Sequence, residues 1–389
     1  MARGKRRVSS RSNLLALPEE ILIQIFVRLP VKSLVQVRSI CKSWYSLITD
    51  RSFIESHLKH QTSPSNNIYS SLFLFGYKPG CDIYSHWRYA IRYDDESFGE
   101  YFKPELPVHI SYLSVCGSCN GLVCLSGRPI FASRLGWPIY LWNPALRRMK
   151  TLPEPPSLDP TLGAFYSVYV AFGFDYRGND YKVVEIICFP PKLDKNSLFI
   201  VNVYSLSTDS WRRISVASPS CKIWIGALPE IMNGAAYWIA SVNMKSENSL
   251  YTLLQFDLGD EVFREIILPD GARHILPEIA VLGESLYLYN FWGAKTYQCD
   301  VWTMECSKVG TWTKRFTFRF SDANVNDWSK IGFRRNGEIL RLNHKNCLVS
   351  YNLENKQAED LGFHACRISF LHSYVESLIL LPKEDSYST

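Results

Sequence analysis

Trp142-Asn143-Pro144-Ala145-Leu146-Arg147-Arg148-Met149, Tyr204-Ser205-Leu206-Ser207-Thr208-Asp209-Ser210-Trp211 and Phe256-Asp257-Leu258-Gly259-Asp260-Glu261-Val262-Phe263 repeat one pattern. An aromatic residue in a short apolar strand is followed by a turn and, seven positions on, by a second large side chain. Tyr351 and Ala358 keep the interval but lose the bulk, and Trp302 and Trp312 keep the bulk but gain three residues. The first members stand 62, 52, 46 and 49 residues apart, an irregular period near fifty. Further short strands lie between them, at 121–125, 181–187, 235–239 and 284–289. Four short antiparallel strands per ~50 residues mark a β-propeller blade, and a two-sheet sandwich does not explain the period.

Counting outward from the hairpins places blades near 110–153, 165–215, 225–269, 278–320 and 328–362. A sixth must close the ring, combining Leu72–Phe75 and Tyr89–Tyr93 with Ser377–Leu381 from the far end. Upstream the texture changes. Residues 17–59 read as helices, and the polar 61–67, with Pro64, read as a linker. Pro18 suits a first helical turn, Glu19 and Glu20 face the positive end of the helix dipole, and Pro30 stops the helix. Ile21, Leu22, Ile25, Phe26 and Leu29 cover an arc of roughly 140°, which Ile23 and Val27 widen to about 240°. That exceeds one core-facing stripe, and a unit of ~45 residues is near the lower limit for an independent core. The surplus apolar face packs either on the chain's own β domain or on a separate partner.

The expected organisation is therefore a basic tail at 1–13, a helical domain at 14–60, a linker at 61–68, a β-propeller of about six blades at 69–382 and a C-terminal tail at 383–389. The fold class is mainly β with a small all-α N-terminal domain. A length of 389 residues suits more than one unit, and the 47% hydrophobic and 21% charged composition is that of a folded chain. Five of the charges that make the net +6 sit at Arg3, Lys5, Arg6, Arg7 and Arg11, which leaves about +1 for the rest. A near-neutral body excludes a nucleic-acid groove as the main business. No run reaches the ~18 apolar residues of a membrane span, so no membrane is expected. Eleven scattered cysteines fit reduced thiols in a cytoplasmic and/or nuclear setting. Lys5-Arg6-Arg7 reads either as a solvated end or as a nuclear-import patch.

Leu17-Pro18-Glu19-Glu20-Ile21-Leu22, Leu29-Pro30-Val31-Lys32-Ser33-Leu34 and Val37-Arg38-Ser39-Ile40-Cys41-Lys42-Ser43-Trp44, ending in Phe53, resemble an F-box. That resemblance implies docking onto a Skp-family adaptor and, through it, a cullin-RING ubiquitin ligase. It implies adaptor contacts at Leu17, Pro18, Ile21, Ile25, Leu29, Pro30, Leu34 and Val37, and helix packing by Cys41, Trp44, Ile48 and Phe53. Gly117–Cys124, Leu141–Pro144, Phe172–Asp175, Asn179–Val184, Val203–Leu206, Ser210–Arg212, Phe256–Leu258 and Val301-Trp302 resemble the plant F-box-associated domain. The order is similar to S-locus F-box and S-locus F-box-like proteins, which implies an imported ribonuclease as one alternative target. No kelch Gly-Gly doublets or regular Trp-Asp ends occur. The implied function is a non-catalytic substrate receptor that needs no cofactor. Its unknown protein target would meet rim loops chosen from 78–88, 94–107, 154–163, 190–197, 243–249, 270–277 and 321–328.

A propeller hydrolase or oxidase with a helical accessory is the reading of another class. It would use acids such as Asp175, Asp180, Asp257, Asp300 and Glu305 at the ring axis, though their strand-turn positions fit solvated turns better. Cys116-Gly117-Ser118-Cys119, near His109 and Cys124, lacks the second pair of a zinc site and reads as small residues at a blade entry. His57, His60, His86, His274, His344, His364 and His372 form no paired motif, and no Gly-x-Ser-x-Gly elbow occurs. The eleven tryptophans, recurring at hairpins, read as blade packing rather than a sugar-binding ring.

Overall fold

The seven-residue interval is a cross-strand pairing. Trp142 faces Met149, Tyr204 faces Trp211, Phe256 faces Phe263 and Tyr351 faces Ala358 across the third and fourth strands of successive blades. Arg147, Asp209 and Glu261 take left-handed backbone just before the fourth strand in three of these hairpins. In each of those hairpins the left-handed position is therefore held by a residue other than glycine. Trp302 faces Lys314 instead, because the connection between its two strands is longer and carries the single 3-10 turn Cys306–Lys308. Trp312 stands just before the fourth strand, outside the ladder, which is why its interval stretched.

The structure, a computed structural model, describes residues 17–63, 72–80, 88–104, 114–127, 138–159, 166–189, 198–224, 228–242, 250–274, 276–292, 298–319, 332–334, 336–343, 345–352, 355 and 357–379. The basic and C-terminal tails and the segments 190–197, 243–249 and 321–328 lie outside these residues.

Six sheets form the ring. Blade I holds Ser114–Cys119, Leu122–Ser126, Ile139–Asn143 and Arg148–Thr151. Blade II holds Ser167–Asp175, Asp180–Phe189, Leu198–Ser205 and Ser210–Ile214. In blade III the first strand comes in two pieces, Lys222–Ile223 and Glu230–Met232, both paired with Ala235–Ser241, and Tyr251–Asp257 and Phe263–Ile267 complete the sheet. Blade IV holds Glu278–Leu282, Ser285–Trp292, Gln298–Glu305 and Thr313–Arg319, and blade V holds Gly332–Phe333, Ile339–Leu342, Cys347–Tyr351 and Ala358–His364.

Blade VI closes the ring, but with a different strand from the one expected. Arg367–Tyr374 pairs with Leu72–Lys78, which pairs with Arg88–Tyr93 and then Glu100–Phe102. The apolar Ser377-Leu378-Ile379 is not a strand, and Leu380 and Leu381 lie outside the described residues. An apolar run reads as a strand buried on both faces, whereas the true closing strand carries Arg367, Ser369, His372 and Ser373 and looks like a connection.

Each pair of neighbouring blades shares a core. Blades I and II bury Leu122, Leu141, Phe172 and Tyr204 together; blades II and III bury Trp238 and Phe256; and blades VI and I bury Leu74, Ile91, Val123 and Trp142. Sheets buried on both faces explain why Leu72–Tyr77 is buried without alternation. Antiparallel order puts the one–two and three–four turns of the blades at one end of the ring. The two–three connections and blade crossings are delivered to the other end.

Four helices precede the ring: α1 (Glu19–Phe26), α2 (Val31–Val37), α3 (Lys42–Thr49) and α4 (Arg51–Thr62). Pro18 and Pro30 are extended N-cap residues before α1 and α2, so Pro18 stands one residue outside the helix instead of within its first turn. Asp50 caps α4, accepting from the N–H groups of Ser52 and Phe53. Leu22, Phe26, Val31, Leu34, Trp44, Ile48 and Phe53 form one core, with Phe26 edge-on to Trp44 at 5.1 Å.

Candidate functional site

The helical unit presents an apolar outer face. In α1 the residues Leu22 and Phe26 point inward, while Ile21 and Ile25, one turn apart, stay 41% and 38% exposed. Pro18 and Pro30 are exposed, and Leu17, Leu29 and Val37 are half-buried at the core's margin. Ile40 and Tyr45 add exposed apolar surface that the sequence reading did not single out. Among the eight residues that resemblance assigns to an outside partner, Leu34 departs. It is 0% exposed, enclosed by the other helices, and its side chain packs the unit instead of facing out. Cys41 borders this core, and Trp44, Ile48 and Phe53 are buried in it.

His57 is a structural residue that sequence spacing could not find. Its ring is buried against Phe53, and its Nε2 lies 2.9 Å from the Leu29 carbonyl, tying α4 to the turn between α1 and α2. A carbonyl can only accept, so Nε2 carries the proton in this contact. Burial holds this imidazole below its ordinary value, against the opposing pull of the Leu29 carbonyl.

The helical unit sits on the turn end of blades I and II. Ala145 and Leu146 from a blade I hairpin, and Leu378 from beyond the last strand, join its core. The Arg51 guanidinium donates to the Asn179 carbonyl at 3.3 Å and pairs with Glu55 at 2.9 Å. The opposite end of the ring is therefore free of the helices. The strands bordering 81–87, 190–197 and 243–249 deliver the chain to that free end, as do those bordering 154–163 and 270–277. Residues 94–99 are the exception, since their hairpin turns at the helix-bearing end.

A cavity of roughly 200 Å³ runs on the ring axis, lined among others by Ser118, Glu230, Phe333 and His372, with His372 Nδ1 3.9 Å from the Glu230 carboxylate. None of the acids singled out from the sequence reaches it. Asp175 accepts from the Arg177 and Gly178 N–H groups and pairs with Lys182, and Asp180 accepts from Tyr181 and Ser207. Asp257 accepts from Gly259 and Asp260, Asp300 binds Lys314 and Thr317, and Glu305 binds Lys308. Cys116, Cys119 and Cys124 lie in or against the core between blades I and II, where burial pushes the Cys119 thiol up to about 12 and Cys124 upward as well. Thiols so shifted are inert. Among the described residues, no group of three or more His, Cys, Asp or Glu is placed to hold a metal. Nine described cysteines are free, but Cys366 is disulfide-bonded, a correction to the expectation of thiols throughout.

A family model for the F-box-like domain matches residues 14–57, and one for the F-box associated beta propeller domain matches residues 87–380. The chain belongs to the F-box associated propeller family. F-box protein CPR1 of Arabidopsis thaliana is 29% identical over 94% of this chain and 89% of its own length. An F-box/kelch-repeat protein of the same plant is 26% identical over 87% of this chain and 88% of its own. A putative 6-phosphogluconolactonase from Bacteroides fragilis, 14% identical, covers 80% of this chain and 99% of itself at a TM-score of 0.39, too loose a match to carry an argument. As an F-box protein, the chain combines an F-box-like helical unit with a six-bladed propeller.

Proposed function

We propose that this F-box protein is the substrate-receptor subunit of a Skp-cullin-F-box ubiquitin ligase, with no bond chemistry of its own. The observation that carries the reading is the exposed pair Ile21 and Ile25 on a helix whose other face already fills the core. Apolar side chains left outside a filled core mark a docking face. Pro18, Pro30 and the margin residues Leu17, Leu29 and Val37 extend that face, whereas Leu34 supports it from within. The partner that fits is a Skp-family adaptor, over an interface on the order of 1,200–2,000 Å².

The target binds the end of the propeller away from the F-box. A rigid ring then holds adaptor and target on opposite sides. Transfer gains its rate from the effective concentration of a target lysine near a charged ubiquitin-carrying enzyme. The protein works in the cytoplasm, the nucleus or both.

The test is co-expression of the full chain with a Skp-family adaptor, followed by size-exclusion chromatography. A one-to-one complex that is lost in Ile25→Asp supports the proposal. A full chain that runs as a monomer beside excess adaptor, with its helices folded, would overturn it. Point substitution is the right comparison, because deleting the helices would expose Leu378, Ala145 and Leu146 on the ring.

A further inference from the structure

The five residues after the last strand, Val375–Ile379, belong to no sheet and yet are held at several points. They leave the ring at the end that bears the F-box and cross the Asn120-Gly121 turn. Gly121 has φ +80°, and a Cβ there would lie 2.5 Å from Ser377 Oγ and 2.7 Å from the Val375 carbonyl oxygen, so only a glycine lets the segment pass. Asn143 then grips it. Its side-chain N–H₂ donates to the carbonyls of Ser377 and Ile379, both at 3.1 Å, while its Oδ1 accepts from Leu146 N–H at 3.1 Å. The asparagine is fully buried. Tyr101 donates to the Glu376 carboxylate at 2.9 Å, fastening the segment to blade VI as well.

Extended chain sends successive side chains to opposite sides. Here that alternation joins two cores. Leu378, 2% exposed, enters the F-box core beside Leu22, Phe26 and Trp44, and Ile379 packs against the core shared by blades I and II.

From this geometry we infer that residues 375–379 are the joint that fixes the F-box on the propeller, and that Asn143 is its positioning residue. The joint sets the angle and distance between the adaptor-facing helices and the target-bearing rim. That consequence rests on the receptor reading, but the joint itself is intramolecular and is tested without adaptor.

The experiment is hydrogen–deuterium exchange on the full chain. Leu378→Asp drives a charge into the F-box core and is expected to speed exchange in α1 to α4 by at least about tenfold, with the strands of blades II to V unchanged. Asn143→Asp keeps the acceptor for Leu146 N–H and removes both donors to the segment. It is expected to raise exchange at 376–379 and in the helices by about tenfold while residues 143–148 stay protected. Leu378→Met should restore protection. Helix exchange within twofold of the parent in both aspartate variants overturns the inference. So does a rise shared equally by helices and all six blades, which would make Leu378 and Asn143 general supports of the ring. The expected exchange changes in a protein whose parent chain binds no adaptor would count against the receptor reading alone.

Discussion

Two leucine-class positions on the F-box separate packing from docking. Leu34 is 0% exposed and Ile25 is 38% exposed, although both fall where the family's partner contacts are expected. Truncating a fully enclosed leucine to alanine costs about 2–5 kcal/mol, because the cavity adds to the lost transfer energy. At ~0.05–0.15 kcal/mol per residue, a unit of this size holds roughly 2–7 kcal/mol in all. Leu34→Ala therefore removes a large part of the helical unit's stability, and helix exchange in the full chain should rise by about a hundredfold or more. Ile25→Ala removes surface that water already touches and should cost under about 1 kcal/mol of stability. In a docking face it would cost about 1–3 kcal/mol of adaptor affinity. Exchange over α1 to α3, read beside an adaptor titration, gives opposite signatures: Ile25→Ala weakens binding with protected helices, and Leu34→Ala opens the helices. Weakened binding in Leu34→Ala with exchange unchanged would refute the assignment of that side chain to the core.

Further outcomes follow from the same contacts. Because the folded F-box holds the His57 imidazole below its ordinary value of 6.5, the unfolded chain takes up a proton that the folded one refuses. The unit's stability is complete above that value and declines as pH falls through and below it. Melts at about pH 7.5 and about pH 5.5 should show a loss that His57→Gln reduces, and an equal loss in both proteins would contradict it. Burial raises the Glu376 carboxyl above its ordinary value, so its contribution is full below that value and is lost as pH rises through the raised one; Glu376→Gln should remove that slope and keep the acceptor for Tyr101. Lys182 sits between Asp175 at 2.8 Å and Glu261 at 2.9 Å, all three nearly buried, where it ties blade II to blade III. Lys182→Met should lower propeller stability by about 3–5 kcal/mol in denaturant unfolding, and a midpoint within error of the parent would show that the two acids find other partners. A chain ending at Tyr374 should keep a closed ring and lose F-box protection, whereas one ending at His364 should lose both, since only the second removes the closing strand; identical melting of the two would be inconsistent with the strand order.

Much of this was legible in the sequence where one residue type has one structural solution. The aromatic pairs seven apart carried the hairpin register because a four-residue turn fixes which side chains meet across two strands. Asn120-Gly121 and Asn233-Gly234, which the sequence reading did not single out, form tight turns with both residues of each pair in left-handed backbone. What stayed hidden depended on which of several apolar surfaces a residue would find. Leu34 in α2 and Ile25 in α1 are both apolar residues at expected contact positions, and only the placement of Trp44 and Phe53 decides which is enclosed. Ser377–Ile379 has the composition of a buried strand, yet its burial comes from lying between two units. Asn143 matches a family motif, but nothing near it in sequence announces partners more than two hundred residues away.

The alternation at Leu378 and Ile379 also orders events in time. Synthesis makes the four helices first, but the side chain that finishes their core is made some three hundred residues later, after every blade. The nascent F-box must wait with an open flank while the ring is threaded, and the strand that closes blade VI arrives only just ahead of the leucine that seals the helices. A product that stops short at any blade leaves the ribosome with neither end secured. Closure of the ring and completion of the helical core are thereby tied to one short stretch of chain, so a truncated propeller does not come with a finished helical core attached.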